Sequence, residues 1–341
     1  MPELTPKTLD DVRRLLKDIP SPDEAAISHA REREPRLTKP QGSLGRLERL
    51  SEWLSAWQGR HPPRIQYPFA CVFAGNHGVA RRGVSAFPPE VTAQMVANFE
   101  AGGAAVNQLC TAFGVGLRVE AITLERPTHD FTQAPAMSEA ECAEAVALGF
   151  SVVNKDMDVL CLGEMGIGNT TSAAALCHAL HGAAALDWTG PGTGIEGEAL
   201  AKKAAIIDMA VALHLDAATD AIDILRRLGG RELAAIVGAV LAARLKRVPV
   251  LLDGYVCTAA AAVLEAQKQG ALDHCQVGHV SAEPGHHRLL KRLDKTALLN
   301  LDMRLGEASG AVLAVELLKA AAACHGGMAT FSEAGVSARK D

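Results

Sequence analysis

Short apolar runs alternate along the chain with longer segments in which apolar residues recur at a helical spacing. Six short runs bounded by turn-forming residues predict strands, at 69–73, 117–123, 159–162, 248–252, 276–280 and 298–301. Longer segments rich in alanine and leucine predict helices, among them 46–57, 172–180, 256–266 and 308–323. Strands that alternate with helices form βαβ units, so the pattern predicts an α/β fold with a mostly parallel sheet flanked by helices.

Two further helices are predicted near the N-terminus. Thr5 and Pro6 precede an amphipathic segment, and they predict its N-cap and its first helical position. Ser21 and Glu24 have the spacing of a capping box, which predicts the start of a second helix.

Five unusual loops are predicted to follow strands of this sheet, at 75–78, 163–171, 253–254, 281–285 and 303–307. Ligands of open parallel sheets bind outside the carboxyl ends of the strands, and these loops would all lie at that edge. Their convergence predicts a binding site there more strongly than any one loop does.

The loop at 163–171 leads from a predicted strand into a predicted helix and contains Gly163, Gly166 and Gly168. A helix N-terminus reached through glycines offers unpaired N–H groups and a positive dipole end to an anion. The polar residues at 169–171 are candidate N-caps. A phosphate site and an ordinary strand-to-helix connection are equally compatible with this stretch. Its spacing matches neither the dinucleotide-binding glycine motif nor the Walker motif.

The composition is that of a globular protein, with 48% hydrophobic and 21% charged residues among 341. The net charge of −5 offers no electrostatic footprint for nucleic acid or an anionic membrane surface, so neither partner is expected. No apolar run reaches the length of a membrane span, and the N-terminus lacks the pattern of a signal peptide. The eight scattered cysteines form no C-x-x-C pair and indicate reduced thiols, hence a cytoplasmic protein.

Several side chains are candidates for chemistry. Potential metal ligands lie between Cys275 and His287, but they lack the spacing of zinc motifs, and a metal site is not expected. Glu164 and Glu307 each follow a predicted strand, where a carboxylate can act as a general base, bind a hydroxyl or merely favour a helix N-terminus. Lys203 follows a glycine-rich turn at 190–194, and on local grounds a solvated helix face is favoured over phosphate binding.

Eight stretches of the chain occur together, in the same order, in a known enzyme family: 39–48, 75–79, 84–88 with 91–95, 163–171, 190–194, 251–255, 281–283 and 303–310. Through them the chain resembles the nicotinate-nucleotide–dimethylbenzimidazole phosphoribosyltransferases, which make the lower-ligand nucleotide of cobalamin. The matches run nearly end to end, and eight of them in order are far more specific than any single one.

The resemblance implies a reaction. Nicotinate mononucleotide gives its 5-phosphoribosyl group to 5,6-dimethylbenzimidazole, nicotinate leaves, and α-ribazole 5′-phosphate forms with inversion at the anomeric carbon. The resemblance also implies that Glu307 is the general base, because the attacking benzimidazole becomes cationic unless its second nitrogen loses a proton. Nicotinate leaves from a cationic pyridinium and needs no proton donor. The chemistry therefore requires no metal and no redox cofactor.

The resemblance further implies two groups of substrate contacts. Those for the phosphate and ribose are Glu164, Gly166, Gly168, Asn169, Thr170, Thr171, Gly190, Gly192 and Lys203. Those for the flat apolar base are Phe87, Gln94, Met95 and Leu305. The first group supports the phosphate site, and it favours phosphate binding over a solvated face for Lys203.

Two domains and a homodimer are also implied by the resemblance. A large α/β catalytic domain would span 26–308, and the segments 1–25 and 309–341 would form a small helical domain. One departure is Asn76, where the family commonly has Asp. Two alternatives stay open: the same chemistry on another acceptor, such as adenine, another benzimidazole or a phenol, or a nucleotide-binding protein without turnover.

Overall fold

The computed structural model describes residues 5–337, and its centre is a parallel sheet of five strands. The strands are β1 (Pro68–Ala74), β2 (Gly116–Ala121), β3 (Val159–Met165), β4 (Val250–Leu252) and β5 (Cys275–Val277). Their order across the sheet is β2-β1-β3-β4-β5, and every pairing is parallel. The predicted α/β fold is therefore confirmed, and five of the six predicted strands are present.

Fourteen α-helices accompany the sheet in this part of the chain. They are α1 (Leu9–Lys17), α2 (Glu24–Arg33), α3 (Arg46–Gln58), α4 (Val91–Glu100), α5 (Ala105–Phe113), α6 (Glu139–Ser151), α7 (Asn169–His181), α8 (Gly197–His214), α9 (Ala221–Leu228), α10 (Arg231–Lys246), α11 (Tyr255–Gln267), α12 (Pro284–Arg292), α13 (Ser309–Gly327) and α14 (Phe331–Ala334). The helices predicted at 46–57, 172–180, 256–266 and 308–323 correspond to α3, α7, α11 and α13. Among residues 5–337, no helix combines the length and the apolar character that crossing a membrane requires.

Side chains of the strands alternate between two hydrophobic cores, one on each face of the sheet. In β1, Cys71 and Phe73 belong to the first core, whereas Ala70 and Val72 belong to the second. Helix α1 contributes to the first core, and α13 contributes to the second. The described parts of both terminal segments thus pack into the same two cores as the rest of the chain, and their grouping into a small domain stays a prediction.

The order of the strands reverses between β1 and β3, which creates a switch point at the carboxyl edge of the sheet. From β1 the chain moves to β2 on one side, and from β2 it returns to β3 on the other side of β1. The loops after β1 and β3 therefore diverge and leave a crevice, which is the usual position of the ligand in doubly wound sheets.

The prediction of a strand at 298–301 is wrong. Leu299 forms only an isolated parallel bridge with His279. The chain then leaves the sheet, because the Leu301 side chain is 55% exposed and Asp302 has a φ of 54°, outside the range of a strand. Leu298 and Leu299 pack against the second core, so this apolar run reflects burial without strand pairing.

The two predicted N-terminal helices are present, but other residues cap them. In α1 the N-cap is Thr8, which forms a capping box with Asp11, so the predicted cap at Thr5 is wrong. In α2 the N-cap is Asp23, whose carboxylate accepts a first-turn backbone N–H at 2.9 Å, so the capping box predicted from Ser21 is also wrong. Each cap lies where its side chain reaches the N–H three residues further on.

Candidate active site

A cavity of about 270 Å³ opens at the carboxyl edge of the sheet. Its lining comes from 84–87, 164–170, 192–193, 254–256, 279–283 and 304–306. Four of the five loops predicted to converge, those after β3, β4 and β5 and the one at 303–307, therefore surround one cavity. The fifth, at 75–78, lies behind the glycine loop, because a Cβ on Gly166 would be only 2.6 Å from the carbonyl oxygen of Gly75.

The first turn of α7 faces this cavity. The residues of the turn and its loop that line the cavity include Gly166, Gly168, Asn169 and Thr170. Thr171 is buried and is not part of the lining. Gly168 holds the N-cap position with a φ of 94°, which glycine adopts without strain, so the predicted caps at 169–171 are wrong. Asn169 instead donates through its side-chain amide to the carboxylate of Glu164. A helix N-terminus open to a cavity suits an anion.

Lys203 lies beside this helix N-terminus, and its side chain is fully buried. Its ammonium donates to the Thr170 hydroxyl at 2.8 Å and to the carbonyl oxygen of Gly190 at 3.0 Å. Burial lowers the pKa of Lys203 to about 8, and the nearby Glu283 partly offsets this effect. The solvated helix face favoured on local grounds is therefore wrong for Lys203, whereas its neighbour Lys202 is exposed.

Glu283 lines the cavity but is missing from the predicted contacts. One of its carboxylate oxygens accepts the backbone N–H of Gly192 at 2.8 Å, and a Cβ on Gly190 would overlap the other. Burial raises the pKa of Glu283, and the charge of Lys203 acts in the opposite direction. The signal that could have identified it is the stretch 281–283, one of the eight matches to the family.

Glu164 lies within β3 rather than after it, and its carboxyl group is buried where β3 reaches the cavity. Burial raises the pKa of Glu164 to about 8, and the negative charges of Asp253 and Glu232 add to the effect. The hydrogen bond from Asn169 acts in the opposite direction. A carboxyl group that titrates near neutral pH can hold a ligand hydroxyl in either protonation state.

Glu307 is held at the same edge, in the turn that precedes α13; it follows Gly306, which lines the cavity, and is itself buried outside the lining. Glu307 and the next residue, Ala308, both have a φ of 62°. The backbone N–H of Glu307 donates to the carbonyl oxygen of Glu164 at 3.2 Å, and Gly163 makes room for the turn, because a Cβ there would overlap the backbone of Ala308. Burial raises the pKa of Glu307 to about 7, with a further contribution from Asp253.

The apolar part of the cavity contains two of the four predicted base contacts. Phe87 and Leu305 line it, and their side chains are 52% and 54% exposed. Gln94 and Met95 lie on α4 outside the lining, where Gln94 is exposed and Met95 packs against the second core. Their contact with a base stays a prediction. Helix α4 touches the site through Thr92, whose hydroxyl accepts a backbone N–H of the glycine loop at 3.1 Å.

His77 and Glu232 form a buried contact behind the glycine loop. The Nε2 atom of His77 is 2.5 Å from the Glu232 carboxylate, and its Nδ1 atom is 3.0 Å from the Ser172 hydroxyl in α7. The contact joins the loop after β1 to α7 and α10. Next to it, the amide of Asn76 donates to the carbonyl oxygen of Leu124 at 2.9 Å, a bond that an ionised aspartate could not donate.

The potential metal ligands between 275 and 287 do not form one centre. His286 is buried, its Nδ1 accepts the N–H of Ser281 at 2.8 Å, and its Nε2 is 3.1 Å from the Thr258 hydroxyl. Burial lowers the pKa of His286 to about 3, so its ring is a neutral, structural hydrogen-bonding group. Within residues 5–337, no three His, Cys, Asp or Glu side chains are arranged to hold a metal ion.

Several known proteins similar to this chain are phosphoribosyltransferases. A sequence model described as phosphoribosyltransferase matches residues 19–336. The chain is 58% identical over 330 residues to a nicotinate-nucleotide–dimethylbenzimidazole phosphoribosyltransferase of Rhizobium etli (strain CIAT 652), with 97% of each chain covered. The chain belongs to this family.

Further members of the nicotinate-nucleotide–dimethylbenzimidazole phosphoribosyltransferase family agree in sequence and in fold. The enzyme of Rhizobium meliloti (strain 1021) is 58% identical over 328 residues, which cover 96% of this chain and 97% of that one. The crystal structure of the enzyme from Thermus thermophilus superposes with a TM-score of 0.86 at 38% identity and covers 93% of this chain and 100% of that one. The family identified from eight stretches of sequence is thus confirmed.

Proposed function

We propose that this chain transfers the 5-phosphoribosyl group of nicotinate mononucleotide to 5,6-dimethylbenzimidazole, releasing nicotinate and forming α-ribazole 5′-phosphate. The observation that carries the proposal is the position of Glu307, a buried residue with a pKa of about 7 that directly follows Gly306 in the lining of the cavity, which a helix N-terminus also faces. Family membership supplies the substrates, because the similar enzymes are named for this donor and this acceptor.

The phosphate of the nucleotide binds at the start of α7 in this proposal. The Thr170 hydroxyl and the backbone of the glycine loop, which line the cavity, supply donors, and so does the Lys203 ammonium, which lies outside the lining in contact with Thr170. An anion beside Lys203 favours the charged ammonium, so bound phosphate offsets the burial that depresses its pKa. Gly190 and Glu283 stabilise this region. The carbonyl oxygen of Gly190 accepts a hydrogen bond from Lys203, and the Glu283 carboxylate accepts the N–H of Gly192.

The acceptor base lies against Phe87 and Leu305, and Glu307 accepts its proton. One imidazole nitrogen attacks the anomeric carbon while the N–H of the other nitrogen donates to the Glu307 carboxylate. The bond between the sugar and nicotinate breaks as the new carbon–nitrogen bond forms. Nicotinate leaves with the electron pair of the broken bond, which neutralises its pyridinium nitrogen. In this proposal Glu164 holds a hydroxyl of the ribose.

Nicotinate release, measured with and without dimethylbenzimidazole, tests the reaction and the base together. We expect acceptor-dependent release by wild type and a loss of about a hundredfold or more in kcat for Glu307→Gln. Glu316→Gln, on α13 and outside the cavity lining, is the matched control and should retain the wild-type rate. Wild type without acceptor-dependent release would exclude this substrate pair. Equal rates for wild type and Glu307→Gln would move the base elsewhere, with Glu164 the next candidate.

We further infer a homodimer. Met209 and Leu213 on α8, together with Leu215, are exposed large apolar side chains. A second copy of the chain would remove them from water. Sedimentation should give the mass of a dimer for wild type and a shift towards monomer for Met209→Glu, whereas a monomeric wild type would reject the inference.

A cytoplasmic location is the last part of the proposal. All eight cysteines are free, and seven of them are buried. Burial raises the pKa of thiols such as Cys177, in this case to about 12, which keeps them protonated and unreactive. Unpaired thiols fit a reducing compartment. Fractionation of cells that make the tagged protein should recover it with cytoplasmic markers, and recovery elsewhere would reject this part.

A further inference from the structure

Helix α13 has no capping side chain at its own N-cap position, which is occupied by Ala308. A residue distant in sequence supplies the cap: Asp253, the residue after β4, accepts the backbone N–H of Ala311 at 2.9 Å. The Asp253 carboxylate is completely buried, and the N-terminus of a helix is where a negative charge is most favourable. Asp253 therefore takes the place of the missing cap.

Asp253 is itself fixed by the sheet. Its backbone N–H donates to the carbonyl oxygen of Leu162 at 3.2 Å, which continues the pairing of β3 and β4 by one residue. The residue after it, Gly254, lines the cavity. The carboxylate thus connects the first turn of α13 to the edge of the sheet beside the cavity.

The turn that Asp253 holds is the turn that contains Glu307. Glu307 and Ala308 are consecutive residues in the left-handed region, which residues with side chains rarely adopt. Such a conformation persists only when the surrounding structure determines it. The surroundings here are the hydrogen bond from the Glu307 N–H to Glu164 on one side and the cap from Asp253 on the other.

We propose that Asp253 is a positioning residue for Glu307: by capping α13 from β4, it fixes the turn that holds the Glu307 carboxylate beside the cavity. This inference rests on the proposed function, in which Glu307 is the base. Asp253 is completely buried and its carboxylate accepts the N–H of Ala311 in α13, so it acts through the turn at Glu307 rather than on a substrate. Its loss should lower the rate of transfer more than the affinity for nicotinate mononucleotide.

The charge of Asp253 gives the proposal a second readout. The titratable groups of this cluster are Cys161 and Glu164 on β3, Glu232 on α10, Cys257 on α11, His279 after β5, and Glu307. The Nε2 atom of His279 is 3.6 Å from an Asp253 oxygen, but burial lowers the pKa of His279, so a neutral ring does not stabilise the charge of Asp253. Burial also raises the pKa of Asp253 to about 7, so Asp253 and Glu307 titrate in the same range. Because like charges raise each other's pKa, an ionised Asp253 raises the pKa of Glu307.

A double-mutant cycle in the full-length protein tests the proposal. Acceptor-dependent nicotinate release is measured for wild type, Asp253→Ala, Glu307→Gln and the double variant. We expect Asp253→Ala to lower kcat about tenfold or more while the KM for nicotinate mononucleotide changes less than about twofold. In the Glu307→Gln background the same substitution should cost less than about twofold, because the base that Asp253 positions is absent.

If Asp253→Ala does not fold, Asp253→Asn is the variant that tests the proposal. Its amide oxygen can still accept the N–H of Ala311, so the helix keeps its cap and most of kcat should return. The negative charge is lost, and the acid limb of the pH–rate profile should move to lower pH by about half a unit. Asp23→Ala and Asp23→Asn, at the cap of α2, are matched controls: the first should lower the melting temperature, the second should retain most of it, and neither should show a kinetic effect.

Three results would overturn the proposal. The first is a wild-type kcat in Asp253→Ala, and the second is an equal proportional loss with and without Glu307. If Asp253→Ala does not fold, the third is an Asp253→Asn pH–rate profile that superimposes on that of wild type. A wild type without acceptor-dependent release would instead refute the proposed function, and this inference with it.

Discussion

The backbone N–H of Glu307 donates to the carbonyl oxygen of Glu164, 3.2 Å away, and thereby joins two buried carboxyl residues at one edge of the sheet. One belongs to a strand and the other to the turn before α13. Burial raises the pKa of Glu164 to about 8 and that of Glu307 to about 7, so both titrate near neutral pH and affect each other. Measurements at several pH values therefore report on the protonation of these two carboxyl groups.

Activity should fall on the acid side of neutrality. Glu307 accepts a proton only when it is ionised, and its pKa is about 7, so kcat/KM for the acceptor should drop below that pH. The expected slope is about tenfold per pH unit once Glu307 is mostly protonated. Melting temperatures and the absorbance of free dimethylbenzimidazole, recorded over the same range, separate this effect from unfolding and from titration of the acceptor. A rate that is constant down to pH 5 would exclude Glu307 as the base.

Glu164→Gln should become more stable relative to wild type as the pH rises from 5 to 8. The pKa of Glu164 is raised from 4.5 to about 8 in the folded chain, so the folded state alone binds this proton between those values. Wild type therefore loses stability through that window, and the loss is on the order of 3 kcal/mol. Denaturant unfolding at several pH values measures the difference, with Glu139→Gln on α6 as the control. A difference that does not vary with pH would contradict the burial argument.

Lys203→Met should impair nucleotide binding, whereas Lys202→Met should not. The two lysines are neighbours on α8, but only the Lys203 ammonium contacts Thr170. We expect the KM for nicotinate mononucleotide to rise about tenfold or more in Lys203→Met, since a charge-assisted contact to phosphate is lost. Thermal shift with inorganic phosphate is the second measurement, and it should show protection of wild type and Lys202→Met only. Protection of all three proteins would place the phosphate elsewhere.

Gly163→Ala should reduce both stability and kcat. A Cβ at this position would overlap the backbone of Ala308, so α13 and the turn at Glu307 must move away from β3. Overpacking of this kind typically costs about 1–3 kcal/mol. Gly327→Ala, in the same helix but with no neighbour within 4 Å of the added carbon, is the control for melting temperature and rate. Wild-type kinetics in Gly163→Ala would show that the turn tolerates displacement.

The hydrophobic pattern located β1, β3 and β4 because strands buried on both faces of a parallel sheet appear in sequence as short, bounded apolar runs. β2 lies at an edge of the sheet with no buried residue, and its apolar residues alternate with charged ones. The same pattern failed at 298–301, where Leu298 and Leu299 enter the core without a partner strand. Burial alone produces that signal, and the hydrogen bonds that distinguish a strand depend on chain segments elsewhere. The helix caps failed for a related reason, since Thr5 and Thr8 are equally plausible until the first turn is seen.

The candidate site was predictable to the extent that it repeats family motifs. Locally, Lys203 is one of two lysines on a helix, and only its contacts with Thr170 and Gly190 separate it from a solvated side chain. Asp253 and His77 gave no signal of their roles as single residues, because each acts through partners that the fold supplies. Sequence patterns identify which loops converge, but they do not show which groups those loops hold.

The turn that carries Glu307 is anchored on β3 and β4, and it follows all five strands in chain order. During synthesis the base therefore leaves the ribosome after every strand of the sheet, and a partly synthesised chain lacks it even if its sheet has formed. Contacts between such distant segments also form slowly, since a long loop must close before they are made. Docking of α13 is thus expected to be the late folding step that converts an assembled sheet into an enzyme.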